Sequence, residues 1–352
     1  MRTWLSAKSR TPNHENSPPS QAFNVTPPEV VHLQPKPTMS NNAAVLSQPM
    51  LEEHPAVFPA LPFLHYSMYG RRLSLTVFVI GTIIDSLVFP VGLYFILWYG
   101  FGPGNRKWHP LSASTTLTIV TATIGGTSLW QLIRRGWRLA RKDSIYRPAG
   151  ASRWHLDWFE WWFLLTWILI IVELSVAFVP NNPDRRMLAL PMPTVLAVFG
   201  TASLLLDILW CFSVRAPIRI SSISKGAELR PGIYPIIEDV CAVDGSGKTE
   251  FRTNLDRRYC ASHVFRVMLR RLGLFWGIGA ECCAALTFSL VFGLDDDLVD
   301  WAYTIGWAAP FVWAGPWILA TYLYVRRELK KEKKLWMDSH GGSESRLAVS
   351  TL

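Results

Sequence analysis

The chain has 352 residues, half of them hydrophobic and only 17% charged, with a formal net charge of +9; an average soluble domain is about 25% charged. Mean hydropathy is +0.19 although both ends are polar, so the middle is too apolar for an ordinary water-soluble core. This balance excludes a simple globular enzyme, a disulfide-built secreted module and a chain disordered throughout, and points to a multi-pass membrane protein.

Residues 1–55 are rich in Pro, Ser, Asn and Gln, lack a hydrophobic period, and read as a disordered cytosolic tail. The opening MRTWLSAKSR is basic but lacks the apolar stretch of a signal peptide. A glycosylation sequon at Asn24-Val25-Thr26 falls in this tail and is expected to stay unused.

Six stretches then meet the requirement of about 20 mostly apolar residues per membrane helix. They run over 73–98, 111–133, 159–179, 192–213, 272–292 and 298–325. The second is the least apolar and carries nine Ser and Thr hydroxyls. The fifth has Gly273 and Gly277 at a spacing that lets helices approach closely, and the last contains Pro310 and Pro316. Lipid supplies no water to backbone groups, so the spans must be helices. The expected fold is an all-α polytopic bundle of six transmembrane helices with both termini cytosolic. It is organised as the 1–55 tail, four spans within 56–213, a 214–271 loop, two spans within 272–325, and a basic tail over 326–352.

The basic residues test this count. Of 35 Lys and Arg, 31 fall in the two tails and the 134–156 and 214–271 connections. The other three connections hold only Arg106, Lys107, Arg185 and Arg186. Such alternation is the positive-inside pattern. It assigns the net positive charge to anionic lipid of the cytosolic leaflet, so no nucleic-acid partner is implied. Trp98, Trp108, Trp154, Trp158, Trp161, Trp162, Trp210, Trp276 and Trp301 fall near span ends as an interfacial belt. Trp167, Trp307, Trp313 and Trp317 lie deeper and either pack or line a cavity.

The loop contains AVDGSGKT at 242–249, a phosphate-loop pattern in which Ala242 replaces the first Gly. The reading preferred here is a small hairpin, with strands in IYPIIEDVCAV and TEFRTNL joined at Asp-Gly-Ser-Gly, and no nucleotide bound. Beyond it, RRYCASHVFRVMLRRLG reads as a basic amphipathic approach lying on the lipid surface. VRRELKKEKKLW, after the last span, is a polybasic juxtamembrane segment. His residues are scattered through tails and connections, so no haem, metal or other cofactor is expected.

Asp85, Glu173, Asp207 and Glu281 are the residues singled out as candidate sites, one acid in each of four spans. An Asp at a membrane helix centre costs about 2.5–3.5 kcal/mol to insert. At about 1.5 Å per residue, Asp85 and Glu281 fall near the midplane, Asp207 in the inner third and Glu173 in the outer third. No Lys or Arg shares their spans, so hydrogen-bond partners are required, and the hydroxyl-rich second span is the natural source. Asp85 and Glu281 are expected to matter most, as proton donors or in proton coupling; Glu173 and Asp207 are the weaker candidates. Asp85 also precedes Pro90, whose missing N–H frees the carbonyl at residue 86.

The segment 230–266 resembles fungal multi-pass membrane proteins whose function is not established. Its Pro231-Gly232-Ile233-Tyr234 opening, Glu238-Asp239-Val240, glycine turn and Arg258-Tyr259-Cys260-Ala261-Ser262 carry the likeness. Some such proteins are similar to members of specialised-metabolite gene clusters, where membrane-bound terpenoid cyclases use intramembrane acids. The resemblance implies action on a hydrophobic small molecule, as cyclase or accessory, in an endomembrane such as the endoplasmic reticulum. The alternatives are a proton-coupled small-solute transporter and a non-catalytic scaffold.

Overall fold

The computed structural model describes residues 61–64, 72–148, 150–180 and 182–350. The 1–55 tail and the Asn24 sequon lie outside them. The described residues are helical, with two isolated bridges (Arg215 with Glu228, Ile220 with Ile223) and no strand among them. Ten α-helices follow one another: α1 Arg72–Ile83, α2 Tyr94–Gly100, α3 Ala113–Ala122, α4 Gly126–Ala140, α5 Trp158–Ala177, α6 Pro191–Cys211, α7 Ile233–Asp239, α8 Lys248–Ala261, α9 His263–Gly293 and α10 Val299–Ser350. A π-helical stretch, Ile84–Leu93, joins α1 to α2 without a break. Among the described residues, five stretches are long and apolar enough to cross a membrane: Thr76–Gly100, Trp158–Ala177, Pro191–Cys211, His263–Gly293 and Asp296–Ser339.

The second expected span, 111–133, is not one helix. It is α3 and α4, separated at Thr123–Gly125. The local chemistry explains the break. Gly125 has φ +75°, and a Cβ there would lie 2.4 Å from the Trp167 ring of α5. The Thr123 hydroxyl turns back to Val120 O at 2.7 Å, while α4 begins only at Gly126.

Small residues hold the centre together. On α6 and α9, a Cβ at Gly200 would press on Glu281 and one at Gly277 on Leu204, so these glycines let the two helices approach closely. A far-end core gathers Tyr94, Leu117, Val120, Leu188, Tyr303 and Trp307.

The basic-end loop corrects the hairpin expectation. Residues 233–239 form α7, which runs into a π turn at Val240–Asp244; the expected second strand is α8. The Asp-Gly-Ser-Gly segment remains the bend between them. Helix wins because Tyr234, Phe251 and Leu255 then face one apolar cluster with Phe265, Met268 and Leu269. Those last three belong to α9, so the basic approach expected to lie on lipid is the start of α9 and packs on the loop module. Ser262 caps α9, accepting from the Phe265 N–H at 3.2 Å. The polybasic segment also continues α10 as helix, with Glu332 buried against Arg258 of α8.

Candidate functional site

Asp85 opens the π-helical stretch and is 6% exposed, with buried Ser86 beside it. Its carboxylate accepts from the Thr127 hydroxyl at 2.6 Å. Thr127 stands in the first turn of α4, immediately past the α3–α4 break, so the hydroxyl-rich 111–133 stretch does supply this partner. Pro90 lies within the π stretch, and Tyr303 Oη donates to its carbonyl at 3.3 Å. π segments arise where the regular ladder is disturbed and occur often at functional sites. Two irregular helices therefore meet at one buried carboxylate.

Charged groups lie at both ends of these helices. Tyr94 is nine residues beyond Asp85, about 13 Å along the axis. Tyr94 and Tyr99 donate to Asp300, which also pairs with Arg185. The Arg185 guanidinium donates to Tyr94 Oη at 3.0 Å and sits 4.7 Å over the Trp98 ring. In the other direction Arg135 is eight residues beyond Thr127, about 12 Å. Its guanidinium pairs with Asp157 at 2.6 Å, with Glu160 at 2.9 Å and with Asp244. Arg252 continues this network, to Glu238 at 2.7 Å, Asp239 at 2.6 Å and Asp157 at 3.7 Å. Ser221 donates to Asp239 as well. Burial, reinforced by the negative Asp157 and opposed by Arg252, pushes the Asp239 carboxyl up to about 8.

The other three acids are apart from Asp85. Glu173 accepts from Thr194 of α6. Glu281 accepts from Thr201 of α6 at 2.7 Å. Asp207, 3% exposed, accepts from the Gly232 N–H at 2.8 Å, which ties α6 to the start of α7. None of the four acids is in an ion pair among the described residues. Three partners come from α6 or the loop and only one from the 111–133 stretch.

A separate apolar groove of about 1030 Å³ lies between α9 and α10. Trp313 and Trp317 line it, whereas Trp307 is buried in the far-end core and Trp167 packs on Gly125. Glu281 faces α6, and its neighbours Cys282 and Cys283 line the groove instead. The structure thus brings none of the four acids to the groove.

Sequence reasoning missed the Arg135–Arg252 network. In the sequence Arg135 reads only as a topology charge, and Glu238 and Asp239 fall in an expected strand. Its one sequence signal was the Asp157–Glu160 pair directly before an apolar run, an N-terminal capping pattern; Asp157 does cap α5, accepting from the Glu160 N–H at 2.8 Å.

Residues 50–336 match the family model described as Domain of unknown function (DUF8766), which covers most of the chain, so the chain belongs to that family. No curated protein and no solved structure matches it.

Proposed function

We propose that this member of the family is a six-crossing membrane protein with both termini cytosolic, and that it moves a small solute in exchange for proton movement through Asp85. The observation that carries the reading is the meeting of a π-distorted helix and a broken helix at one buried acid. Transporters build ion and proton sites near the midplane from discontinuous helices, because interrupted backbone is tolerated where it serves a binding site. Asp85 also sits between two ionic clusters, each about 12–13 Å away along its helices. Such spacing suits a carboxylate loaded from one side and unloaded to the other. A proton-donating cyclase would need an acid aimed into an apolar cavity, and the α9–α10 groove receives none of the four.

The sixth crossing in this reading is the α3–α4 pair. The Leu111 N–H donates to Phe101 O at 3.1 Å, which places the start of the pair beside the end of the first span. Arg135 near the other end of the pair joins the basic-end network. A cysteine introduced at Asn182 should react with a membrane-impermeant reagent from outside, and one at Ser246 should not. The reverse pattern overturns the orientation.

The functional test is Asp85→Asn. Infrared difference spectra of the reconstituted protein between acid and alkaline buffer should contain a carboxyl band that this variant loses. A deletion strain should make its normal metabolites but hold one in the wrong compartment. An unchanged band, or an accumulated uncyclised precursor, defeats the transport reading.

A further inference from the structure

The α9–α10 groove runs from Arg271 at the basic end to Leu290 and Trp301 at the far end. Nineteen residues of α9 separate Arg271 from Leu290, about 28 Å, close to the thickness of a bilayer's hydrocarbon core. Its wall is apolar, with Leu274, Ile278, Leu286 and Val312 prominent. Three of the polar groups along it are already engaged. Thr287 donates to Cys283 O at 2.7 Å, Thr304 to Asp300 O at 2.8 Å, and Trp317 Nε1 to Phe275 O at 3.2 Å. The middle of the groove therefore offers an occupant mainly apolar contact.

The basic end is different. Neighbouring arginines are occupied: Arg270 sits 4.7 Å over Trp210, and Arg266 donates to the Tyr259 and Cys260 carbonyls. Arg271 is exposed and has no hydrogen-bond or ion-pair partner among the described residues. It also borders a second cavity of about 290 Å³ shared with Thr321 and Tyr324. The Tyr324 hydroxyl is buried there without a hydrogen-bond partner among the described residues. An exposed guanidinium lacking an acceptor thus stands at the mouth of a long apolar trough.

We infer that this groove seats one anionic phospholipid from the leaflet on the basic side, with its phosphate on Arg271 and an acyl chain along α9 and α10. The guanidinium fork matches phosphate oxygens. Arg326, Arg327, Lys330 and Lys331, which follow Tyr324 on α10, add positive potential that favours a lipid with net negative charge over a zwitterionic one. The inference is independent of the role given to Asp85, which lies on another part of the bundle.

Native mass spectrometry of the detergent-solubilised full chain tests it, with phosphatidylglycerol and phosphatidylcholine as probes. The native chain should retain phosphatidylglycerol preferentially. Arg271→Gln should reduce that retention about five-fold, the effect of one basic group at the lipid surface. Arg134→Gln, the same charge change at an exposed position of α4 outside the groove lining, should leave it nearly unchanged. Cys282→Trp should displace the lipid by filling the groove at an exposed lining position, with Val312→Trp as a second filling variant should the first not fold. Equal retention of the two lipids, or equal losses from Arg271→Gln and Arg134→Gln, overturns the inference. So does competition by inorganic phosphate, which would mean an anion site without a chain.

Discussion

The acids inside the spans and the acids at the basic end are solvated by opposite means. Asp85, Glu173, Glu281 and Asp207 each take a neutral donor: three Thr hydroxyls and one backbone N–H. At the basic end, Asp157, Glu160, Glu238, Asp239 and Asp244 share two guanidiniums, Arg135 and Arg252. A lone acid in an apolar span can be accommodated by a single hydrogen bond. Five acids crowded together need cations, and losing a cation leaves several of them uncompensated at once. The largest mutational effects should therefore fall outside the membrane spans, at residues whose role is to join α5, α7 and α8.

Arg252→Met breaks this comparison most directly. Arg252 is 2% exposed, and its removal leaves Glu238 and Asp239 without their cation. Breaking a buried ion network at one partner costs about 3–5 kcal/mol. Thermal unfolding of the purified protein followed by circular dichroism should show a drop in Tm far larger than that for any single intramembrane Thr→Val change. An Arg252→Met variant as stable as its parent would mean that the network is ornamental.

The second effect is on pH. Asp239 is fully buried, and its carboxyl is raised to about 8, first by burial and then by Asp157. Its unfolded value is about 3.9, so between roughly pH 4 and 8 the folded state binds more protons than the unfolded one. The contribution of Asp239 to stability is therefore greatest at the acid end of that window, falls as pH rises through it, and is flat above. Asp239→Asn should flatten the slope of Tm against pH over this range. An unchanged slope would assign the proton to another member of the network.

What the sequence made legible follows the same division. Five spans can be read because an apolar run of membrane length has few other uses; three agree within three residues at each end, while α9 starts nine residues earlier and α10 runs well past 325 because polar ends continue those helices. The four intramembrane acids stand out because a charge there is costly. The α3–α4 break was harder to see, since Gly125-Gly126 in a Thr-rich run reads equally as a flexible helix; the Trp167 ring that fits only against a glycine comes from α5. The basic-end network was hidden by separation along the chain. Arg135 and Asp244 are 109 residues apart, and only folding brings them together. α7 and α8 were misread for a related reason: their apolar residues alternate plausibly as short strands until α9 supplies the face that fixes a helical period.

The smallest expected effect sharpens the comparison from the membrane side. Thr201→Val removes the hydroxyl that Glu281 accepts from while keeping the side chain's shape. Interhelical hydrogen bonds in membrane proteins average about 0.6 kcal/mol, because alternative partners are available before and after the helices associate. Glu281 also rests on Gly200, where a Cβ would lie 2.9 Å from its Oε1, so close packing of α6 on α9 survives loss of the hydroxyl. Thr201→Val should therefore lower Tm only slightly, and Gly200→Leu at the same contact should lower it much more. The contrast separates two contributions that act at one place: hydrogen bonding to the acid and close approach of the helices. If Thr201→Val instead rivals Arg252→Met, Glu281 depends on that single hydroxyl and the division between the two regions fails. A small effect from both Thr201→Val and Gly200→Leu would move the stabilising contact between α6 and α9 away from Glu281, toward Gly273 and Asp207, where a Cβ would lie 3.0 Å from the carboxylate.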